Sequence, residues 1–155
     1  MDISLKRAGC ESAALIWKMQ VEAFSELYEK YQDTQTNPAA EQMERVLQRL
    51  QQPFTYYYLI QCGDDIAGAI RVIDKQISGE YKRISPMFIQ KAYRHLGIAQ
   101  KAIARAEQIH GSENWALETI LEEPHLCHLY EKMGYRKTGR LEKINDRLTL
   151  VYYQK

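Results

Sequence analysis

The stretch from 81 to 120 constrains the fold more than any other part of the chain. "YKRISPMFI" (81–89) and "WALETI" (115–120) have strand character, and between them Ile98, Ala102, Ala106 and Ile109 repeat at helical spacing over 97–110. Two strands joined through one helix lie parallel, because the crossover returns the chain to the end where the first strand began. The chain is therefore built on a sheet that contains a parallel pair and carries helices on its faces.

The remaining elements fit around that unit. "ISLKRA" (3–8) alternates apolar and polar residues, as a strand does. From Glu11 to about Tyr31 the period becomes helical, with Ala14, Trp17, Val21, Phe24, Tyr28 and Tyr31 on one face. Asn37 and Pro38 read as N-cap and first residue of a second helix, marked by Met43, Val46, Leu47 and Leu50 and stopped before Pro53. "FTYYYLIQ" (54–61) and "IAGAIRVID" (66–74) form a hairpin around "CGDD". Alternation places Tyr56 and Tyr58 on one face and Tyr57 on the other.

Pro124 opens a last helix, with Leu126, Leu129, Tyr130 and Met133 on one face and Gly134 as its stop. "YRKTGRLEKI" and "RLTLVYYQ" finish as two strands around "NDR". The predicted order is β-α-α-β-β-β-α-β-α-β-β, an α/β fold with a mixed sheet of about seven strands. With no break in composition, residues 1–155 are read as a single domain.

Composition removes several function classes. Lys+Arg is 21 and Asp+Glu is 20, a formal net charge of +1, which gives no broad attraction to nucleic acid or anionic membranes. Cys10, Cys62 and Cys127 are far apart and form no CxxC pair, so neither a disulfide framework nor a zinc ribbon is expected. His125 and His128 lie near Cys127, but no third ligand stands in a known register, and no metal is expected. No run approaches the ~20 apolar residues of a membrane span, and "MDISLKRAGC" is not a signal core. These features read as a soluble cytoplasmic protein.

"YRHLGIAQ" (93–100) joins the first parallel strand to its helix. The first N–H groups of a helix have no internal partner, and the helix dipole adds partial positive charge there. Such an end binds anions. Gly97 and Ala99 carry little bulk, and Arg94 adds charge. Neither a Walker loop nor GxGxxG is present. From these residues alone the segment reads either as an anion site or as an ordinary turn.

Two motifs carry a family resemblance. "RHLGIA" (94–99) resembles the [QR]-x-x-G-x-[GA] signature of the GNAT N-acetyltransferase superfamily, placed between strand and helix as that superfamily has it. "HLYEKMGYRKTGR" (128–140) resembles its second hallmark, Leu-Tyr-Glu-Lys-x-Gly-Phe before a strand. The element order is similar too, so the resemblance spans essentially the whole chain. It implies acetyl-CoA as cosubstrate. The implied pyrophosphate site is the loop from Arg94 through His95, Leu96, Gly97, Ile98 and Ala99 to Gln100, acting mostly through backbone amides. Met87, Phe88 and Ile89 would pair with the pantetheine arm like an added strand. The superfamily's bulge on this strand, which splays the parallel pair, falls at Ser85–Pro86; a proline there also fits a plain edge strand.

Acetyl transfer to an amine needs a deprotonated nucleophile, donors for the oxyanion and an acid for the leaving thiolate. The resemblance implies Tyr130 as the acid; on its own residues Tyr130 also reads as a core aromatic. Glu118 stands twelve residues before Tyr130, similar to the glutamate of acetyltransferases that act on protein N-termini. It is the implied base, against the plainer reading of a strand carboxylate facing solvent. Where the superfamily often has asparagine, seven residues before the tyrosine, this chain has Glu123, followed by Pro124. Glu122 and Glu123 would attract a cationic amine. Phe24, Tyr28 and Tyr31 are implied walls of the acceptor pocket.

The expected activity is acetyl transfer to a primary amine, on a small molecule or a peptide N-terminus, by direct attack in a ternary complex. The expected assembly is a monomer or homodimer, with no nucleic-acid or membrane partner. The competing reading is a non-catalytic acyl-CoA-binding sensor or interaction module.

Overall fold

The computed structural model describes residues 2–155. The opening run forms β1 (Ile3–Arg7), and the hairpin forms β2 (Thr55–Cys62) and β3 (Asp65–Ile73). With β4 (Lys82–Ile89), β5 (Trp115–Ile120), β6 (Arg136–Lys143) and β7 (Thr149–Gln154) they make one seven-stranded sheet, in the order β1-β2-β3-β4-β5-β7-β6. Four α-helices connect them: α1 (Ala13–Tyr31), α2 (Met43–Gln51), α3 (Ile98–His110) and α4 (Pro124–Lys132). The element order and the mixed α/β class are those read from the sequence. Among the paired strands only β4 and β5 run parallel, as the crossover requires. No helix among the described residues is long and apolar enough to cross a membrane.

Strand alternation divides the core into two layers. Tyr57, Leu59, Ala69 and Phe88 pack with Ile16, Met19 and Ala23 of α1 and Val46 of α2. Tyr58, Ile60, Ile70 and Val72 pack with Ile98, Ala102, Ile103 and Ala106 of α3. The three consecutive tyrosines separate as alternation demands. Tyr56 and Tyr58 meet the His110 ring edge-on, at 4.9 and 5.9 Å between centroids, and Tyr57 lies in the other layer.

Three local expectations are corrected. In α1 the buried stripe is Ala13, Ile16, Met19, Gln20 and Ala23, one step around from the predicted face, although Tyr31 is buried as expected. Both arcs are apolar, and polar edges decide between them. The Trp17 indole N–H donates to the Glu41 carbonyl at 2.8 Å, so the ring sits at the boundary of the core, where its N–H has a partner. The fully buried Gln20 amide donates to the Pro38 carbonyl at 2.9 Å and to Glu41 Oε1 at 2.8 Å.

Those bonds explain the second correction. Asn37 does cap, accepting from the Ala39 N–H at 2.7 Å, but it caps only a 3-10 turn over Pro38–Ala40. The chain then extends at Glu41, and α2 starts separately at Met43. The third is Ile109, which is exposed, while Ile103 is buried. In the last turn of α3 His110 is the residue that turns inward, with Nδ1 2.8 Å from Asp74 Oδ2 and Nε2 2.8 Å from the Tyr58 hydroxyl.

Candidate active site

The parallel pair is joined over only two rungs, Lys82 with Trp115 and Arg83 with Ala116. Beyond Arg83 the strands separate, so the β5-facing main chain of the rest of β4 has no strand partner in this sheet. A bulge marks the divergence. On β3, Ile70 pairs with Met87 and Val72 with Ile84, so Arg71 alone faces both Ser85 and Pro86. The bulge expected at Ser85–Pro86 is present, at a residue that has no N–H to give a ladder. Arg71 is buried and donates to the Ser85 carbonyl at 2.7 Å.

A cavity of about 600 Å³ opens between the diverging strands. Met87, Phe88 and Ile89 of β4 line one wall, and Glu118, Thr119 and Ile120 of β5 line the opposite one. At one end stands the loop into α3. His95 and Gly97 both have positive φ, 65° and 77°, and α3 starts at Ile98 with no side chain capping it. The Lys101 N–H is the first to turn back, to the Gly97 carbonyl at 3.2 Å. Arg94, His95, Gly97, Ile98, Ala99 and Gln100 all border the cavity, whereas Leu96 is exposed and does not.

The Arg94 guanidinium braces the loop. It donates to the Ile89 carbonyl at 3.0 Å and to the Ala23 carbonyl of α1 at 2.7 Å. Both partners are uncharged, so Arg94 keeps its positive charge and adds it to that of the helix terminus at this end of the cavity.

Tyr130 lies on the wall formed by α4. The helix ends in a Schellman arrangement, in which the Tyr135 N–H donates to the Tyr130 carbonyl at 3.0 Å and the Gly134 N–H to the Glu131 carbonyl at 3.1 Å. Gly134 adopts the positive φ, 92°, that this stop requires. The turn brings the buried Tyr135 edge-on against Tyr130, 5.9 Å between ring centroids. The Tyr130 hydroxyl has no hydrogen-bond partner among the described residues. Burial, and then the nearby charge of Glu118, push its pKa well above the ordinary value of 10.0. The phenol therefore stays protonated at neutral pH, with an O–H available to donate. Glu118 accepts a hydrogen bond from Arg83 of β4 through Oε2, across the point where the strands part.

The far side of the cavity is bordered by Phe24 and Leu27 of α1, by the loop residues Asp33 and Thr36, and by Glu123. Asp33 Oδ1 accepts from the N–H groups of Gln35 and Thr36 at 2.9 Å each, an Asx turn that fixes the loop. Glu123 Oε2 accepts from Lys30 Nζ at 2.6 Å and from the Tyr31 hydroxyl. Burial opposes its charge, but the bonds from Lys30 and Tyr31 outweigh that and hold the carboxyl below the usual 4.5. Of the three implied aromatic walls, Phe24 lines the cavity, Tyr31 instead secures Glu123, and Tyr28 does neither. Sequence reading missed Arg71 and Arg83. A lone arginine inside the apolar run "IAGAIRVI" was the available signal for the first.

A family model described as an acetyltransferase (GNAT) domain matches residues 19–155. A search of curated proteins returns no significant match by sequence. Among solved structures, the spermidine N-acetyltransferase from Vibrio cholerae, in complex with CoA and spermine, is similar with a TM-score of 0.73 at 17% identity, covering 98% of this chain and 95% of that one. The microcin C7 self-immunity acetyltransferase, in complex with acetyl-CoA and AMP, has a TM-score of 0.75 at 15% identity, covering 99% and 92%. An acetyltransferase from Thermus thermophilus has 0.69 at 18%, covering 99% and 96%. At such identities the likeness is one of fold.

Proposed function

The chain belongs to the GNAT acetyltransferase family, and we propose that residues 1–155 act as one domain that moves an acetyl group from acetyl-CoA to a primary amine. The observation that carries this reading is a single cavity with an uncapped helix N-terminus at one end and a protonated, unpartnered phenol on its wall. The amides of His95 and of Gly97 through Gln100 hold the pyrophosphate. The unpaired edge of β4 at Met87, Phe88 and Ile89 takes the pantetheine arm as an added strand. That two neighbours of this fold were solved with CoA or acetyl-CoA supports the same ligand here.

The chemistry follows from what these residues can do. The free amine attacks the thioester carbonyl carbon, and the resulting oxyanion collapses with cleavage of the C–S bond. Tyr130 gives its proton to the departing thiolate and is reprotonated through solvent as Glu118 releases the proton it takes up. The extra proton on the nitrogen passes to Glu118, directly or through water, while Arg83 fixes the position of that carboxylate. The acceptor is a small amine or a peptide N-terminus. The test is thiol release from acetyl-CoA across a panel of such amines. No release with any of them, from folded protein that binds CoA, favours the non-catalytic reading instead.

Two further outcomes are expected. Rate should rise with pH as the acceptor amine loses its proton and then hold, because the phenol keeps its proton past its ordinary 10.0. The kcat profile of folded enzyme checks this, and a falling limb centred well below pH 10 would argue against Tyr130 as the acid. At Gly97, φ is 77° and a Cβ would meet nothing within 4 Å, so the residue is needed for backbone conformation and not for space. Gly97→Ala should weaken CoA binding about tenfold, reflecting the 1–2 kcal/mol that a Cβ costs in this region. Gly97→Asn should lose much less, since asparagine tolerates it. Equal affinities for the two variants in a titration would remove the loop from the site.

A further inference from the structure

Arg71 is a buried cation without a counter-ion. It stands in the middle of β3 with 6% of its surface exposed, and it forms no ion pair among the described residues. Its two hydrogen bonds go to uncharged acceptors: Nη1 to the Ser85 carbonyl at 2.7 Å and Nη2 to Gln52 Oε1 at 3.0 Å. Its Nε has no partner at all. The nearby Glu41 is already held by Arg49, through contacts of 2.7 and 2.6 Å. Burial first, and Arg49 second, lower the Arg71 pKa to about 10, which still leaves it charged at neutral pH. An apolar residue of similar size normally serves stability at least as well in such a place.

What the guanidinium does is geometric. The bulge turns the Ser85 carbonyl out of the β3–β4 ladder, and Pro86 brings no donor of its own. Arg71 satisfies that carbonyl and ties it to Gln52, the residue that ends α2, whose side-chain oxygen also accepts from Thr55 Oγ1 at 2.8 Å. One side of the bulge is thereby anchored to a helix end. The direction in which β4 leaves the bulge sets how Met87 to Ile89 face the cavity.

We infer that Arg71 is a positioning residue for the thioester substrate: by bracing the Ser85–Pro86 bulge from behind, it presents the free edge of β4 to the pantetheine arm. This rests on the reading of β4 as the strand that binds CoA. Arg71 touches neither reactant.

The test compares wild type, Arg71→Met and Gln52→Leu by calorimetric titration with CoA and by steady-state kinetics. Arg71→Met should raise the KM for acetyl-CoA and the Kd for CoA about tenfold, the size of one charged hydrogen bond. The acceptor KM and kcat should stay within about threefold. A purely structural role would lower Tm and leave the KM of the folded enzyme unchanged, and that result overturns the inference. If Arg71→Met does not fold, Gln52→Leu, which removes one of the two anchors, decides: an acetyl-CoA KM raised about threefold supports the inference, and an unchanged one rejects it. Wild type that fails to bind CoA removes the parent reading and this one together; wild type that binds CoA no better than the variants removes only this one.

Discussion

Tyr130→Phe should lower kcat about a hundredfold or more, the ordinary scale of losing one positioned proton donor, while CoA affinity and melting temperature hardly change. The substitution is clean for a structural reason. The ring packs edge-on to Tyr135 at 5.9 Å and at a tilt to Tyr153 at 6.4 Å, and phenylalanine keeps both contacts. The hydroxyl bonds no described residue, so its removal leaves no protein group unsatisfied. Any loss of rate is then a loss of chemistry. Burial keeps the phenol protonated, so it has an O–H to donate to the thiolate and cannot serve as a base toward an ammonium. Turnover by Tyr130→Phe at the wild-type rate, on an amine that the wild type acetylates, would end the assignment.

The fold was legible because its information is local. Each strand and helix announces itself through a period of two or three to four, and the turn residues Gly97, Gly111 and Gly134 stand where the helices begin or end. The bulge is different: Pro86 alone fitted a bulge or an edge strand, and only the family resemblance pointed to the bulge. Errors arose where a polar side chain reaches another element. Trp17 and Gln20 are both drawn toward the segment 38–41, and that attraction rotates α1 and detaches the Asn37 cap from α2.

The candidate site divides in the same way. Main-chain features such as the helix start at Gly97 follow from spacing. The contacts that orient them do not: Arg94 to Ala23, Arg83 to Glu118 and Lys30 to Glu123 join residues 71, 35 and 93 positions apart. Nothing in an isolated arginine or lysine specifies which distant carbonyl or carboxylate it will find. Glu123 shows the limit well. Its departure from the asparagine of the family pattern was visible, but its capture by the end of α1 was not.

Gly68→Ala should be the most damaging single-methyl change in the molecule. Gly68 pairs with Ile89 across the β3–β4 ladder, next to the β2–β3 irregularity that frees the Ala67 carbonyl to accept from the Gln90 N–H at 2.7 Å. A Cβ at Gly68 would lie 2.0 Å from the Phe88 carbonyl oxygen and 3.1 Å from Ile89 Cα. These are main-chain atoms and cannot swing aside, so the strands must part. The expected cost is at the upper end of overpacking, about 3 kcal/mol, or a fall of roughly 10 °C in Tm for a chain of this length. The strand that moves is the one carrying Met87, Phe88 and Ile89, so CoA affinity should fall with stability, by about tenfold or more. This pattern differs from that of Gly97→Ala, where the open surroundings predict lost affinity with little lost stability. Thermal unfolding and CoA titration on the two variants therefore separate two uses of glycine beside one cavity: room for a carbonyl at 68 and a left-handed backbone at 97. A Gly68→Ala protein that melts with the wild type would show that β3 and β4 do not approach as closely as this architecture requires.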